Sequence, residues 1–558
     1  MRDILLTNAH IVTSDAARPR ADTLAIRGGR IAFVGERADW DESLSLPERN
    51  LGGRTVVPGL IDAHTHPSMV ARSAWHVPLP KSDDVDEILA FVRGYGAAHP
   101  REEAPFLYFE YYPSTLFGDG RPTKELLDTA ISDRPVLLQD FSDHAHWVNS
   151  RMIDLLGVTA DTPDPVPGLE MFVRDDDGRP TGHILEMAYT HFIDRLYDRI
   201  GWRPPAVTTE SLADVLDTMG ASGVTALFEA LIEDEDALEA VSGLDRSGRL
   251  HLRYEAAARF RTRADLPGAI ARARRWDERY GSDRVRIRTL KLFLDGTNES
   301  GNSAVIAPFD NDASRTDLGD IQMETDELVE CLELMNHERI DLHIHMVGDR
   351  AFRVACDAVE RAQTRSEING APWLLQVTFA HCELIDPADM GRPAALGVIV
   401  NWTTHWSGGY FGEEGRAYLG DRWDHMYDFT AIADSGATLA FASDVVTRYE
   451  LHRAHPFFGM QVAATRVDPE VPLDPGRYPG SVRPSARSRL SVERLLKGHT
   501  IDAARQLRID AQVGSLEVGK DANLVVLSDD PFEIDVDRLG TIRPVAVMVE
   551  GEVVSGEL

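Results

Sequence analysis

The sequence of 558 residues has little lysine, few cysteines and no long apolar segment. Its three cysteines follow neither a disulfide nor a metal-binding pattern, which fits a reducing cytoplasm. No apolar run approaches the ~18 residues of a membrane-spanning helix, and the first residues lack the apolar core of a secretory signal. We therefore predict a cytoplasmic protein that does not contact a membrane.

Positive charge is also scarce, because 58 Lys and Arg residues stand against 91 Asp and Glu, a formal net charge of −33. Nucleic acids and anionic membranes are bound through clustered positive charge, so neither is expected as a partner. Only five of the 58 cations are lysines. Lys291 is unusual among them, because it lies within an apolar segment, where an uncompensated ammonium group is costly.

Apolar strand-like segments alternate with amphipathic helical segments through the middle of the chain. Eight strands separated by helices predict an α/β fold, specifically a (β/α)₈ barrel. The candidate strands span residues 60–66, 224–229, 250–257, 285–294, 340–345, 375–381, 398–402 and 437–443. The first ~57 and the last ~45 residues contain short strands, and neither end is long enough to bury a core alone. We expect the two ends to form one small β-domain together.

One connection, after the first strand, is too long for a simple crossover. Residues 70–210 contain strand candidates of their own, so we expect an inserted α/β subdomain at the barrel mouth. The predicted organisation is a β-domain from residues 1–57 and 511–558, a barrel from 58–69 and 211–510, and the insertion from 70–210.

Histidine and aspartate recur at the C-terminal ends of the predicted strands, where barrel enzymes carry their functional groups. His64 and His66 end strand one, His345 ends strand five, His381 ends strand six and Asp444 follows strand eight. Imidazole and carboxylate bind Zn²⁺ and similar ions, so the joint pattern predicts a site for one or two divalent metal ions, with Zn²⁺ as the default. Any one of these residues alone could be a core histidine or a helix-capping aspartate.

Two interpretations of Lys291 remain open. The amine could form a buried salt bridge with Asp295 or Glu229, or it could react with CO₂ to give a carbamate, N6-carboxylysine, that bridges two metal ions. Arginine cannot undergo this reaction, because its guanidinium stays protonated. A lysine at this position of an arginine-rich chain therefore favours the carbamate.

Several segments carry a resemblance to a known family. Residues 57–66, Val-Pro-Gly-Leu-Ile-Asp-Ala-His-Thr-His, resemble the strand-one signature of the amidohydrolase superfamily, and residues 514–527 look like its C-terminal return into a β-sandwich. Other segments are similar to the amidohydrolase-3 group, which includes YtcJ-like proteins and N-substituted formamide deformylase: 147–150, 178–182 with Glu186, 291–296, 345–350 and 443–444.

The resemblance covers essentially the whole chain. It implies a split β-sandwich, a distorted TIM barrel and a subdomain inserted after strand one. It also implies a metal site formed by His64, His66, carbamylated Lys291, His345, His381 and Asp444.

The chain departs from this group in three predicted mouth segments. Ser142-Asp143-His144-Ala145 replaces an Asp-Gly-His-Ser stretch, Thr297–Ser300 replaces a run of small residues, and Trp402–His405 replaces a Gln-Pro-x-x-His type sequence. Because these segments lie at the mouth, they bear on the substrate more than on the chemistry.

We predict a hydrolase that cleaves an amide-type C–N bond through a metal-bound hydroxide. Asp444 would move a proton from water to the leaving nitrogen, and His144 or His405 could hydrogen-bond the oxyanion. Packing roles are equally open for these two histidines, and His343 is assigned no role. Aromatic residues near the mouth predict a small hydrophobic or aromatic substrate: Trp75, Tyr111, Tyr112, Phe141, Trp147, Trp402 and Trp406.

Two other functions are compatible with the sequence. One is a mononuclear deaminase of the same fold, in which Lys291 is a free amine. The other is a non-catalytic regulatory protein on this scaffold, against which the intact ligand set argues. A homodimer is expected from the prevalence of two-fold symmetric oligomers.

Overall fold

A computed structural model of the chain describes residues 3–117, 121–310, 316, 318–408, 415–473, 475–476, 480, 482–484 and 488–558. Its central sheet has eight parallel strands, each paired with the next along the chain. We number them β1 to β8: Leu60–Thr65, Val224–Ile232, Arg253–Arg259, Val285–Phe293, Asp341–Met346, Val377–His381, Ile399–Thr403 and Thr438–Ala442.

The end of β8 returns to β1 and brings the sheet round into a barrel. The backbone amide of Asp444 donates a hydrogen bond to the carbonyl of His64 at 2.8 Å. The pairing register shifts between β1 and β2, between β2 and β3, and between β3 and β4, so the barrel is distorted on that side. The predicted distorted TIM barrel is confirmed.

Helices cover the outside of the barrel between successive strands. They and the helices after β8 are Thr209–Ala221, Glu235–Arg246, Leu266–Tyr280, Thr325–Glu338, Asp349–Ile368, Arg392–Leu396, Arg416–Leu419, Phe429–Asp434, Pro456–Thr465, Val492–Gly498 and Ile501–Gln506. In the described ranges, short 3₁₀ turns span Arg37–Asp39, Ser73–Trp75, Ser114–Phe117, Ala188–His191, Thr404–Ser407, Gly420–His425, Leu451–Ala454 and Val536–Thr541. Within those ranges, no helix combines the length and apolarity that a bilayer crossing demands.

Local sequence explains where these elements start and which face they bury. Every residue of β2 is buried, as expected for a strand with helices on one side and the barrel interior on the other. The helix that precedes β2 begins with a capping box, in which Thr208 and Ser211 each bind the other's backbone amide. Its residues Leu212, Val215, Leu216 and Met219 recur at helical spacing and pack on the barrel.

Both ends of the chain contribute to a β-sandwich beside the barrel. One sheet contains the strands Arg30–Gly35, Thr23–Arg27, Ile4–Thr7 and Glu48–Asn50 in that spatial order. The other contains Glu552–Gly556, Pro544–Val549, Leu524–Leu527, Thr55–Pro58, His10–Val12 and Arg20–Ala21. Leu6 and Ile26 from the first sheet pack with Val526 and Met548 from the second, so neither end buries this core alone.

The inserted subdomain lies between β1 and β2 and contains a six-stranded sheet. Its strands, in spatial order, are Met171–Arg174, Pro180–Leu185, Ala145–Val148, Val136–Asp140, Leu107–Tyr112 and Val77–Pro78. Its helices are Pro67–Arg72, Val85–Ala98, Lys124–Asp128, Ser150–Leu156 and Ile193–Ile200. We propose that the β-domain comprises residues 1–57 and 511–558, the barrel 58–69 and 211–510, and the insertion 70–210.

Candidate metal centre

The ends of β1 and β8 place two histidines against one aspartate. The carboxylate Oδ1 of Asp444 lies 3.4 Å from Nε2 of His64 and 3.2 Å from Nε2 of His66. Ser443 fixes the end of β8 to β1, because its backbone amide and hydroxyl donate to the Asp62 carboxylate at 3.0 and 2.6 Å. All of these side chains are buried.

His345 and His381 complete the ring of imidazoles. The ring centroids of these two residues are 4.5 Å apart, and those of His64 and His381 are 4.9 Å apart. Nδ1 of His381 lies 3.4 Å from Oδ2 of Asp444, so this carboxylate meets histidines on both of its oxygens. The backbone is left-handed at His381 (φ 71°) and at Asp444 (φ 51°), a strained conformation that is common at functional sites.

Lys291 lies inside this cluster rather than in a salt bridge. Its Nζ is 3.4 Å from Nε2 of His64, and within the described ranges no carboxylate oxygen lies within 4.0 Å of it. Asp295 instead accepts the backbone amides of residues 304, 347 and 348, and Glu229 accepts hydrogen bonds from Ser68 and Tyr254. The salt-bridge interpretation of Lys291 is therefore wrong.

Burial determines the protonation of these groups. It lowers the pKa of Lys291 to about 7, although the nearby Asp444 carboxylate acts in the opposite direction. Burial and then the neighbouring titratable groups lower the pKa of His64, His345 and His381 well below the ordinary value for histidine. The imidazoles are thus neutral, and neutral imidazole is the form that binds a metal ion.

The side chains fit a divalent ion. Ligand atoms of His64, His66 and Asp444 all lie within 4.8 Å of one another. Nδ1 of His66, Nε2 of His345 and Nδ1 of His381 are buried without a hydrogen-bond partner. Buried polar nitrogens normally have partners, so a cluster of unsatisfied imidazole nitrogens beside a carboxylate fits the donor set of a metal-binding site.

His343, for which the sequence predicts no role, contacts His64 of this cluster. Its Nε2 lies 3.0 Å from Nδ1 of His64, which leaves Nε2 of His64 directed at Asp444. Such a partner fixes the tautomer and ring orientation of a ligating histidine. The two-residue spacing of His343 and His345 on one strand was an available signal, since both point to the same face.

The cluster forms the floor of a cavity of about 790 Å³. His144, from the inserted subdomain, lines this cavity, and its ring centroid lies 5.5 Å from that of His345. Burial acts to lower the pKa of His144, but the charge of Glu186 and its hydrogen bond prevail and raise the pKa to about 9. His144 is therefore a cationic hydrogen-bond donor at neutral pH.

His405 lies elsewhere. The 3₁₀ turn after β7 directs its neighbour Trp406 into the cavity, where it stacks on His381 at 5.4 Å. Successive residues of a 3₁₀ turn point about 120° apart. His405 faces Phe458 of the following helix and does not line the cavity, so an oxyanion role for His405 is not supported.

The aromatic wall of the cavity differs from the predicted one. Trp75 and Trp406 line it, whereas the other five predicted aromatic residues do not. Trp402, for example, is buried and donates to the carbonyl of Cys382. Residues that the sequence did not indicate take their place: Phe106, Tyr108, Tyr189 and Tyr197.

A partly buried ion cluster lines one side of the cavity. Glu170 of the inserted subdomain binds Arg259, at the end of β3, and His191. Arg261 lies 4.0 Å from the same carboxylate, and Glu233 pairs with Arg261 at 2.7 Å. No local sequence pattern indicates this cluster, because its members are far apart along the chain.

Two known proteins are similar to this chain over most of their length. The N-substituted formamide deformylase of Arthrobacter pascens is 26% identical over 576 aligned residues, which cover 99% of this chain and 98% of that protein. The exoenzymes regulatory protein AepA of Pectobacterium carotovorum subsp. carotovorum is 27% identical over 449 residues, 79% of this chain and 93% of that protein.

A solved structure shares the fold. An uncharacterized metal-dependent hydrolase from Pyrococcus horikoshii OT3 superposes with a TM-score of 0.67 at 21% identity, over 96% of this chain and 99% of that one. The Amidohydro_3 model, described as the amidohydrolase family, matches residues 48–555. The chain therefore belongs to the amidohydrolase family, in the amidohydrolase-3 group that its sequence resembles.

Proposed function

We propose that this chain is a metal-dependent amidohydrolase that hydrolyses an amide-type C–N bond in a small hydrophobic or aromatic substrate. One observation carries the proposal, namely the convergence of the predicted ligands on the floor of one cavity: His64, His66, Lys291, His345, His381 and Asp444. The products are a carboxylic acid and an amine.

These six side chains would hold one or two divalent ions, with Zn²⁺ favoured by the histidine and carboxylate donors. When bound, such an ion lowers the pKa of a coordinated water and polarises a carbonyl group. We propose that Lys291 is present as N6-carboxylysine. Support comes from its buried amine, from its pKa of about 7 and from its position 3.4 Å from His64.

We propose that Asp444 carries the proton that amide hydrolysis must move. Support comes from its carboxylate, which contacts His64, His66 and His381 on the cavity floor. In the proposed reaction it takes a proton from the attacking water and delivers it to the leaving nitrogen. His144, on the facing wall, donates a hydrogen bond to the carbonyl oxygen as negative charge develops there.

The aromatic lining of the cavity supports the proposed substrate class. Phe106, Tyr108, Tyr189 and Trp75 of the insertion line the cavity together with Ile232 of β2, and we propose that they contact the apolar group of the substrate. An apolar group bound there would leave the amide at the cavity floor. The similarity to N-substituted formamide deformylase supports an N-substituted amide as the substrate.

The test is hydrolysis of a substrate panel by purified, metal-loaded protein. The panel contains formamides and acetamides of benzylamine, matched amides of methylamine, and cyclic amides. We expect the benzyl compounds to be cleaved with the higher kcat/KM. Loss of all amide hydrolysis across the panel in protein with full metal content would overturn the proposal.

The variant Asp444→Asn tests whether the measured hydrolysis takes place at this site or comes from a contaminating activity. A misplaced or missing proton carrier lowers the rate about 10²- to 10⁴-fold. Asp217→Asn is the matched control, because Asp217 is exposed on the helix Thr209–Ala221, outside the cavity. We expect the control to keep wild-type activity.

A regulatory role is a second candidate, because one relative is named as an exoenzymes regulatory protein. A binding protein would not depend on the proton carrier. Retention of a regulatory effect by Asp444→Asn, with hydrolysis abolished, would favour this role. A metal content near one ion per chain with an unmodified Lys291 amine would instead favour the mononuclear deaminase.

A further inference from the structure

Two side chains of the inserted subdomain form a dyad at the cavity wall. Nδ1 of His144 lies 2.6 Å from Oε2 of Glu186, and both residues line the cavity. The bond occupies one ring nitrogen of His144 and leaves Nε2 as the nitrogen that can face a substrate.

The backbone fixes this pair as closely as the side chains do. Strands Ala145–Val148 and Pro180–Leu185 are antiparallel, with Ala145 opposite Leu185, so His144 and Glu186 occupy the next facing positions. The amide of Glu186 donates to the carbonyl of His144 at 2.6 Å. Directly opposed residues in an antiparallel pair hold their side chains within contact distance.

The turn that carries His144 is also held internally. Asp140 accepts the amide of Ala145 at 3.1 Å and the hydroxyl of Ser142 at 2.9 Å. The Ser142 hydroxyl in turn accepts the amide of His144 at 3.2 Å. These hydrogen bonds hold the backbone of the turn in one conformation, so the His144 side chain starts from a fixed position.

Burial of the Glu186 carboxylate costs free energy that packing contacts alone do not explain. It is 5% exposed, and its second oxygen, Oε1, is buried without a hydrogen-bond partner. A buried carboxylate with one partner is costly compared with an apolar residue of similar volume. Its backbone is left-handed (φ 52°), which adds strain that packing does not require.

We propose that Glu186 is a positioning residue that acts through His144. It holds Nδ1 of the imidazole, fixes the ring orientation, and directs Nε2 at the carbonyl oxygen of a substrate bound on the metal-ligand floor. This inference rests on the proposed function, in which His144 stabilises the oxyanion. It also gives the insertion a part in the chemistry, since both members of the dyad belong to it.

A second pair in the same subdomain provides a matched control. Nδ1 of His76 lies 2.6 Å from Oε1 of Glu110, the same distance as in the dyad. The His76 ring, however, stacks flat on Tyr108, with centroids 3.8 Å apart and planes 5° apart. Glu110 does not line the cavity, and we expect Glu110→Leu, the same change as in the dyad, to leave kcat close to that of the wild type.

The kinetic test is a double-mutant cycle with Glu186→Leu and His144→Asn. We expect Glu186→Leu to lower kcat about 10- to 100-fold, the range for loss of a hydrogen bond to a charged group, with KM changing little. Glu186→Gln keeps an acceptor oxygen and should restore part of the rate. In the His144→Asn background, Glu186→Leu should have no further effect.

Two readouts do not depend on turnover. The wild type should show a downfield proton resonance from Nδ1–H of His144 that Glu186→Leu loses. Metal content should equal that of the wild type in every variant, because neither residue is a proposed ligand. Absence of the resonance from the wild type would overturn the pairing.

The kinetic outcomes separate this inference from the proposed function. If Glu186→Leu lowers kcat equally with and without His144, or lowers it in neither background while His144→Asn does, the positioning role is refuted and amide hydrolysis stands. If the wild type hydrolyses no amide, the proposed function fails, and the resonance alone decides the pairing.

Discussion

Glu170 joins the inserted subdomain to the barrel, and its removal should destabilise the chain by a predictable amount. Burial acts to raise its pKa, but the hydrogen bond to His191 and the charge of Arg259 prevail and lower the pKa from 4.5 to about 2. One pH unit corresponds to about 1.4 kcal/mol, so this difference corresponds to about 3 kcal/mol of stability at neutral pH.

The perturbation is Glu170→Gln, which keeps the size of the side chain and removes its charge. It leaves Arg259 without its main counterion in a buried site, an event that costs about 3–5 kcal/mol in comparable cases. For a chain of this length that unfolds as one unit, the unfolding entropy is about 1.2 kcal/mol/K, so a loss of this size should lower the melting temperature by about 3–4 °C.

Calorimetry and chemical denaturation as a function of pH provide the assay. A depressed carboxylate pKa contributes stability that is complete above the unfolded-state pKa and is lost as the pH falls through the folded-state value. The difference between wild type and Glu170→Gln should therefore be complete at pH 7 and should shrink as the pH falls from 4.5 towards about 2.

The matched control is Asp177→Asn, also in the insertion. Asp177 pairs with Arg179 at 3.3 Å, but both side chains are 70% exposed. Exposed pairs contribute about 0–1 kcal/mol, so this variant should melt close to the wild type. Equal stability of Glu170→Gln and wild type at pH 7, or a difference that does not narrow in acid, would refute the reasoning.

Three further predictions concern the metal centre. Lys291→Arg should abolish metal binding and hydrolysis, because guanidinium forms no carbamate; metal analysis and the carbamate signal in ¹³C NMR with labelled bicarbonate check this, and full metal content in the variant would contradict it. His343→Phe should lower metal affinity about 10- to 100-fold, since His64 loses its orienting partner; titration against a competing chelator measures this, and unchanged affinity would rule out that role. Chelation should lower the melting temperature and added Zn²⁺ should restore it, because an ion at 1,000 times its Kd contributes about 4 kcal/mol; a melting temperature indifferent to chelator would count against a metal centre.

Local sequence patterns are enough to predict the barrel, the β-sandwich built from both chain ends and the residues at the strand ends. Strands buried on both faces are continuous apolar runs, and helices between them repeat at helical spacing, so the pattern is local and readable. Because parallel strands present their C-terminal ends to one face, the strand pattern alone predicts that His64, His345 and Asp444 meet.

Two kinds of feature are visible only in the tertiary structure: the direction in which a side chain points from a turn, and contacts between segments far apart in the chain. The turn after β7 sends Trp406 into the cavity and His405 out of it, and no local pattern encodes that rotation. Glu186 meets His144 only when two strands of the insertion pair, and Arg259 acquires Glu170 only when the insertion packs on the barrel. Local periodicity fixes which face of an element is buried, whereas contacts between segments far apart in the chain depend on how those elements pack.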